Sequence, residues 1–360
     1  MDMVTKGGDK QKRIGEKMLD DLKYIHERDA QDALGVAAKQ WQQLTHRFDT
    51  SFTPSKPILN VVLAGMGGSA LPGVFLGSWP KFNVPFEIVR GYDVPAYTGE
   101  QTLFISSSYS GNTEETLTAL NAAEERGAQI VVIAAGGQLA DHAREKNYPL
   151  FEIPGGIQPR MSSFFFLAAF VALFAPLGLI GENRQHELAE VADWLKDKSD
   201  SWAADVPAKD NQAKTIAQEL MGKTVIMYSG PLLFPAANKW KICFNENAKN
   251  LAWSNQYPEF NHNEFIGWSS HPVDKPFAVV EIRSNLENDR VQKRFEVSER
   301  LLSGKRPEPF VVRPEGDTVL KQLLWSSVLG DFTSIYLALL NGVNPTPVDL
   351  VEKLKAALNE

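Results

Sequence analysis

The sequence predicts an α/β fold of two tandem units, each a mainly parallel sheet flanked by helices, and three observations carry that expectation. Short apolar runs alternate with longer helical stretches from about residue 51 onward, the pattern that parallel sheets require. The order of these runs recurs once in the second half of the chain. Finally, Ser106-Ser-Ser-Tyr-Ser-Gly-Asn-Thr-Glu-Glu-Thr116 follows an apolar run and precedes a helical pattern, so that a strand leads through a hydroxyl-rich turn into a helix start.

Taken in order, residues 1–13 are polar and lysine-rich, lack the apolar stretch of a secretory signal and are expected to form a loose tail. Residues 10–48 read as helix, with Met18, Leu22 and Ile25 at helical spacing. After the proline-bearing connector Ser51–Pro57, strands are expected at Ile58–Ala64, Phe86–Val89, Thr102–Ile105, Ile130–Ala134 and Leu150–Ile153. The apolar stretch Phe164–Ile180, broken by Pro176 and Gly178, falls short of the roughly 20 residues a membrane span needs. It is expected to be a helix buried in the core or in a subunit interface. Glu182–Lys214 is charged and helical, the expected linker.

In the second half, Thr224–Gly230 answers Ile58–Gly65, and Phe277–Ile282 with the helical Asp289–Leu302 answers Thr102–Ile105 and its helix. Phe310–Val312 answers Ile130–Ile133, and the closing helix Ser326–Leu340 answers Ser162–Leu177. The expected boundaries are residues 1–50 for an N-terminal tail and helices packing on the core, 51–181 for the first unit, 182–214 for the linker and 215–360 for the second unit.

Composition narrows the class. A chain of 360 residues with 43% hydrophobic and 22% charged residues fits an ordinary globular protein of about two domains. The net charge of −7 argues against nucleic acid as a partner, and no membrane association is expected. The single cysteine, Cys243, excludes an internal disulfide and points to a reducing, cytoplasmic setting; it reads as a core residue rather than a nucleophile. The histidines His26, His46, His142, His186 and His271 are scattered without metal-site spacing, and neither a GxGxxG dinucleotide motif nor a P-loop lysine is found. No metal or cofactor is expected.

The hydroxyls of Ser106, Ser108, Ser110 and Thr113, with Gly111 and the N–H groups of a helix start, form a candidate anion cradle. A second turn, Gly65-Met-Gly-Gly-Ser-Ala70, also follows a strand and opens a helix. Gly67 and Gly68 permit close backbone approach and Ser69 adds a hydroxyl. Alone this is a tight βα turn; beside the serine turn it becomes a binding candidate, because open parallel sheets take ligands at the carboxyl ends of their strands. The second copy, Arg283-Ser-Asn-Leu-Glu-Asn288, lacks the hydroxyls and brings a carboxylate, so only the first copy is expected to bind an anion.

Gly65-Met-Gly-Gly-Ser69 together with Ser108-Tyr-Ser-Gly-Asn-Thr113 resembles the sugar isomerase (SIS) domain. Asn245-Glu-Asn-Ala-Lys249 and Pro258-Glu-Phe-Asn-His-Asn-Glu264 resemble the bifunctional phosphoglucose/phosphomannose isomerases, which carry two such domains, and the likeness runs from about residue 10 to 358. The resemblance implies two tandem SIS-type domains, each a flavodoxin-like three-layer sandwich. It also implies an aldose–ketose isomerase that interconverts glucose 6-phosphate and mannose 6-phosphate with fructose 6-phosphate, in a homodimer whose His262 reaches the sugar of the partner subunit.

Moving a proton between C1 and C2 of a sugar phosphate asks for a carboxylate, a ring-opening group and a cation near the enediolate oxygens. Glu246 lies among Trp240, Phe244 and Trp253, a setting that partly desolvates it; the competing reading is a surface carboxylate paired with Lys249 or Lys239. His262, among Phe260, Asn261, Asn263 and Glu264, suits proton transfer between the ring oxygen and the C1 hydroxyl. Arg160, in Gly155-Gly-Ile-Gln-Pro-Arg160, is placed either to steady the enediolate or to pair at a helix start. Lys355 matches a family lysine that hydrogen-bonds near the ring oxygen, against the alternative of a solvated lysine like its neighbour Lys353. Asn344-Pro-Thr-Pro347 departs from the family's Asp-Pro, and Thr346 is a candidate to line C2. Two other functions compete: isomerisation of another phosphosugar, and a non-catalytic sugar-phosphate sensor.

Overall fold

A computed structural model of the chain describes residues 14–270 and 276–358. The tail expected over residues 1–13, the first residues of the helical stretch 10–48, and His271 lie outside them. The chain divides into two compact units, a central one of Lys39–Leu195 and a terminal one that joins Met1–Ala38 to Lys196–Glu360.

The stretch 10–48 is not one helix, because its aspartates act as caps. Asp21 accepts the N–H groups of Lys23 (3.0 Å) and Tyr24 (3.2 Å) to start α1, Leu22–Arg28. Asp29 does the same for Ala33 (2.7 Å) and Leu34 (2.9 Å) at α2, Ala33–Ala38. Aspartate favours such local bonds over helix interiors. Asp32 adds a positive φ of 53°. Within the terminal unit the Tyr24 hydroxyl donates to the Leu339 carbonyl at 2.7 Å.

The central unit holds a five-stranded sheet in the order β2-β1-β3-β4-β5, every pair parallel. The strands are β1 Asn60–Ala64, β2 Phe86–Val89, β3 Thr102–Ser108, β4 Gln129–Ala134 and β5 Leu150–Glu152. β1, β3 and β4 are buried along nearly their whole length, as strands covered on both faces are, and their apolar runs Val61–Ala64, Leu103–Ile105 and Ile130–Ala134 fill the centre of the sheet. The connecting helices are α3 Gly67–Phe75, α4 Glu114–Glu125, α5 Gly137–Lys146 and α6 Ser163–Phe174. On one face Val62, Phe104 and Val132 pack with Leu120 of α4 and Leu139 of α5. On the other, α3 meets α6 through Phe75 and Phe164. α6 is the expected apolar helix, with Phe164, Phe166, Phe170 and Phe174 all fully buried, each removal from water being favourable by about 1.5–3 kcal/mol. β3 runs three residues beyond the expected Ile105 because its pairing with β4 continues to Ser108 opposite Ala134. Ser106, expected in the cradle, is therefore a fully buried strand residue whose hydroxyl has no hydrogen-bond partner among the described residues.

α7, Arg184–Asp200, carries the chain onward. The terminal unit repeats the arrangement with four parallel strands in the order β7-β6-β8-β9. These are β6 Thr224–Ser229, β7 Ala252–Gln256, β8 Phe277–Ile282 and β9 Phe310–Val312. β7, the counterpart of β2, is additional to the strands expected from the sequence. The helices are α8 Gln212–Leu220, α9 Phe234–Glu246, α10 Asp289–Leu302, α11 Val319–Leu340 and α12 Asp349–Leu358. α11 is long and apolar enough to cross a membrane by length and composition, and its apolar stretch is wholly buried.

Candidate active site

In the central sheet the strand order reverses direction between β1 and β3, the place where open α/β sheets bind their ligands. Both turns singled out in the sequence lie there. α3 begins at Gly67 with φ +49°, and neither α3 nor α4 has a side-chain cap on its first N–H groups. Two uncapped helix starts thus adjoin at one sheet edge, a setting that favours an anion.

The hydroxyls divide the work. Ser108, almost fully buried, accepts the Gly111 N–H (3.1 Å) and shares a 2.8 Å hydrogen bond with Thr113. Ser69 accepts the Tyr109 N–H at 2.9 Å, while its carbonyl accepts the Ser107 hydroxyl at 3.0 Å. Because a hydroxyl accepts without using its own proton, Ser69 keeps a donor for a ligand. Ser110 is exposed and accepts the Asn112 N–H at 3.3 Å. The turn is braced from behind: Gly111 has φ +68°, its carbonyl accepts the Leu139 N–H at 2.9 Å, and a Cβ added to it would overlap the Gly136 carbonyl.

Arg160, 2% exposed, sits in the short turn Pro159–Met161. It joins the cradle through two features. A Cβ on Gly68 would lie 2.8 Å from the Arg160 nitrogen and the Pro159 carbonyl, so only glycine lets this segment press against the start of α3. The Tyr109 hydroxyl, in the middle of the serine turn, accepts the Ile157 N–H (3.0 Å) and donates to Pro154 (3.3 Å), tying that turn to the loop that leads to Arg160. Burial pushes the Tyr109 phenol's pKa up. Gln43 holds the other side, donating to the Met161 carbonyl at 2.8 Å and accepting the Phe165 N–H at 3.2 Å. Sequence reasoning passed over Tyr109 and Gln43; the one signal was an aromatic residue set among serines.

In the terminal unit Glu246 is the last residue of α9 and is half-buried. Asn245 grips Ala252 of β7 by its N–H (3.1 Å) and carbonyl (3.4 Å), and Asn247 donates to Ser334 of α11 at 2.8 Å. Of the flanking aromatics, Trp240 and Phe244 are fully buried, whereas Trp253 is 52% exposed. Lys239 pairs with Asp331, and Lys249 donates to the Asn344 carbonyl at 2.8 Å. That bond ties the segment after Glu246 to the loop of Thr346, whose N–H is held by the Asn344 side chain at 3.0 Å.

His262 is exposed at the end of the turn Glu259–His262, whose Phe260 is buried against Tyr228 and Tyr257. Next to it Asn261 is anchored by Ser298 (2.9 Å) and Arg294 (3.2 Å). Beneath lies a buried network in which Glu281 receives Arg283 (2.8 Å) and Arg306 (2.6 Å), while burial raises the pKa values of Tyr257 and Tyr228. Lys355 lies on α12, which has no buried residue, and bonds Glu352 at 2.8 Å. The three terminal-unit candidates therefore stand on three separate elements, whereas the cradle and Arg160 are assembled in one place.

The second copy of the cradle is occupied by the protein itself. Ser229 stands opposite Ile282 as Ala64 stands opposite Ser106, so Glu287 takes the place of Gly111. Its buried carboxylate accepts the N–H groups of Leu232 (2.7 Å) and Asn288, and a Cβ on Gly230 would overlap it. Burial raises the Glu287 pKa, and these N–H bonds counter the rise in part.

Residues 209–358 match the family model for the bacterial phospho-glucose isomerase C-terminal SIS domain. A bifunctional phosphoglucose/phosphomannose isomerase from Caldicellulosiruptor bescii is 34% identical over 85% of this chain and 91% of its own length. This chain belongs to that family. The Aquifex aeolicus member is 32% identical over 84% of this chain and 92% of its own. Among solved structures, a hypothetical protein from Thermus thermophilus superposes with a TM-score of 0.67 at 15% identity, covering 98% of this chain and 94% of that one, a likeness of fold. Two tandem SIS-type units, each with a parallel sheet between helices, are the family architecture seen here.

Proposed function

We propose that this member of the phosphoglucose/phosphomannose isomerase family interconverts glucose 6-phosphate and mannose 6-phosphate with fructose 6-phosphate through a cis-enediolate. The observation that carries the reading is the pair of uncapped helix starts with Ser69, Ser108, Ser110 and Thr113 at the β1/β3 edge, joined to a buried Arg160. Phosphate is held by these N–H groups and hydroxyls, with Gly67 and Gly68 allowing close approach. His262 moves the proton between the ring oxygen and the C1 hydroxyl to open the ring. Glu246 takes the proton from C2 of the open aldose and returns it to C1, while the hydroxyl proton passes from O2 to O1 and the carbonyl double bond moves from C1 to C2. Arg160 stabilises the negative charge on the two enediolate oxygens, and Lys355 bonds near the ring oxygen. Aldose and ketose are isomers, so the overall step consumes no oxidant or reductant. The setting is the reducing cytoplasm, which suits the lone thiol of Cys243.

A coupled assay with each sugar phosphate tests this. Glu246→Gln should lose roughly 10²–10⁴-fold in kcat; full activity in that variant, or binding without turnover in the wild type, overturns the reading.

The enzyme is further proposed to be a homodimer with His262 crossing to the partner's site, a role that suits its exposed position. Mixing inactive Glu246→Gln and His262→Ala proteins should then restore about a quarter of wild-type activity, because one of the two sites in each mixed dimer is intact. No recovery after subunit exchange would place His262 in its own chain's site.

A further inference from the structure

α9 and α11 are joined by a buried polar ladder that the chemistry above does not use. Lys239, Cys243 and Asn247 recur every fourth residue, one stripe of α9. Facing them on α11, Asp331 pairs with Lys239 and accepts the Cys243 thiol at 3.1 Å, and Ser334 accepts Asn247 at 2.8 Å. Lys239 and Asp331 are both 0% exposed. Burial alone would lower the Lys239 pKa; Asp331 and Cys243 beside it more than offset that, so the ammonium stays charged. The helices approach closely because Gly330 lies under Trp240, where a Cβ would be 2.6 Å from the indole Cγ, and the Trp240 indole donates to the Ser326 carbonyl at 2.6 Å.

A buried ion pair is a poor source of stability, since desolvation offsets most of the attraction and apolar residues of like volume often serve as well. What it supplies is register. Apolar side chains tolerate a small slide of one helix along another; a buried ammonium pulled from its carboxylate does not, because the separation costs several kcal/mol. Glu246 is seven residues beyond Lys239, about 10 Å along the helix. A displacement of about 1 Å at a reacting group can cost about 10²-fold in rate.

We propose that the Lys239–Asp331–Cys243 cluster and the Asn247–Ser334 bond are positioning residues that fix the end of α9, and with it the Glu246 carboxylate. The proposal rests on the reading of Glu246 as the proton carrier. The decisive variant is Lys239→Met/Asp331→Leu, which removes both charges at nearly constant volume where Asp331→Asn alone would strand a buried ammonium. Its kcat should fall at least tenfold, with KM for fructose 6-phosphate and inhibition by inorganic phosphate within threefold of wild type, and the acid limb of its pH profile should shift. Ser334→Ala should move the same quantities in the same direction by a smaller factor, and it serves as the test if the double variant does not fold. A folded variant with wild-type kcat and pH profile overturns the proposal. Glu246→Gln assayed in parallel separates the two ideas: if it remains active the proton-carrier reading fails, whereas if it is inactive while the ladder variants are unimpaired only the positioning role fails.

Discussion

Replacing Gly111 by alanine loads the cradle at its tightest point. Gly111 has φ +68°, where an L-residue costs about 1–2 kcal/mol. The added Cβ would overlap the Gly136 oxygen and lie 2.8 Å from its carbon and 3.1 Å from the Gly137 Cα. To relieve the overlap with the Gly136 oxygen, its tightest contact, and reach an ordinary separation of about 3.3 Å the two turns must part by about 1.5 Å. That movement strains the Gly111 N–H bond to Ser108 (3.1 Å) and the Leu139 N–H bond to Gly111 (2.9 Å), each contributing about 1 kcal/mol. The sum is about 2–4 kcal/mol, or roughly 4–16 °C in Tm. Gly127 is the control: it too has φ +72°, but its Cβ meets only Glu100 Cγ at 3.5 Å, so Gly127→Ala should lose only the conformational part, about 1–2 kcal/mol. The functional readout is competitive inhibition by inorganic phosphate. Losing one charge-assisted bond of about 1.5–3 kcal/mol weakens it about tenfold or more, with KM for the sugar phosphate rising in parallel. Equal stability losses in the two variants, with phosphate inhibition unchanged, would refute both the steric argument and the placement of the anion.

Three further outcomes are expected. Ser108→Ala strips the hydroxyl that orders Gly111 and Thr113 and should raise KM by roughly tenfold, with a smaller change in kcat; steady-state kinetics with kcat hit harder than KM would contradict this. Glu281→Gln leaves the buried Arg306 and the nearly buried Arg283 without their shared carboxylate and should cost about 3–5 kcal/mol in urea unfolding; a loss below about 1 kcal/mol would show that the network is dispensable. Burial between Phe48 and Phe165 holds the His46 imidazole below its ordinary pKa, so the folded state binds this proton less readily than the unfolded one. The contribution is complete above about pH 6.5 and is lost as pH falls through that value toward the lower folded pKa. His46→Phe should accordingly flatten the fall in Tm between pH 7.5 and 5, and an unchanged slope would rule His46 out as its source.

The sheets were legible wherever an apolar run ends in a glycine or serine turn, because such strands are buried on both faces and announce themselves by composition. β7 is not legible because Ala-Trp-Ser-Asn-Gln is an edge strand, paired among the described residues with β6 alone, and needs no continuous apolar character. β3 was cut short for the opposite reason: serine reads as turn, yet pairing with β4 carries Ser106–Ser108 into the sheet. The aspartates that divide residues 10–48 cap helices through bonds to backbone N–H groups a few residues on, and apolar spacing at helical period does not register such bonds. In the site, the cradle is local in sequence and could be read directly. Its brace from Gly136, the hold of Gln43 on Met161 and the Lys239–Asp331 pair link residues far apart in the chain, and no periodicity or motif encodes such distances.

Glu287 bears on how the two halves respond to solution. A carboxylate fastened to its own backbone sits at the N–H groups of Leu232 and Asn288, just ahead of α9 and α10, at an effective concentration that free oxyanions cannot match. The duplicated chain should therefore saturate with one oxyanion equivalent rather than two. Added phosphate stabilises a fold only through the site it fills, by about 2.7 kcal/mol at a hundred times its Kd. Thermal protection by phosphate should thus come from the central unit's site, while Glu287, a ligand that can never be diluted away, contributes equally whatever the buffer anion.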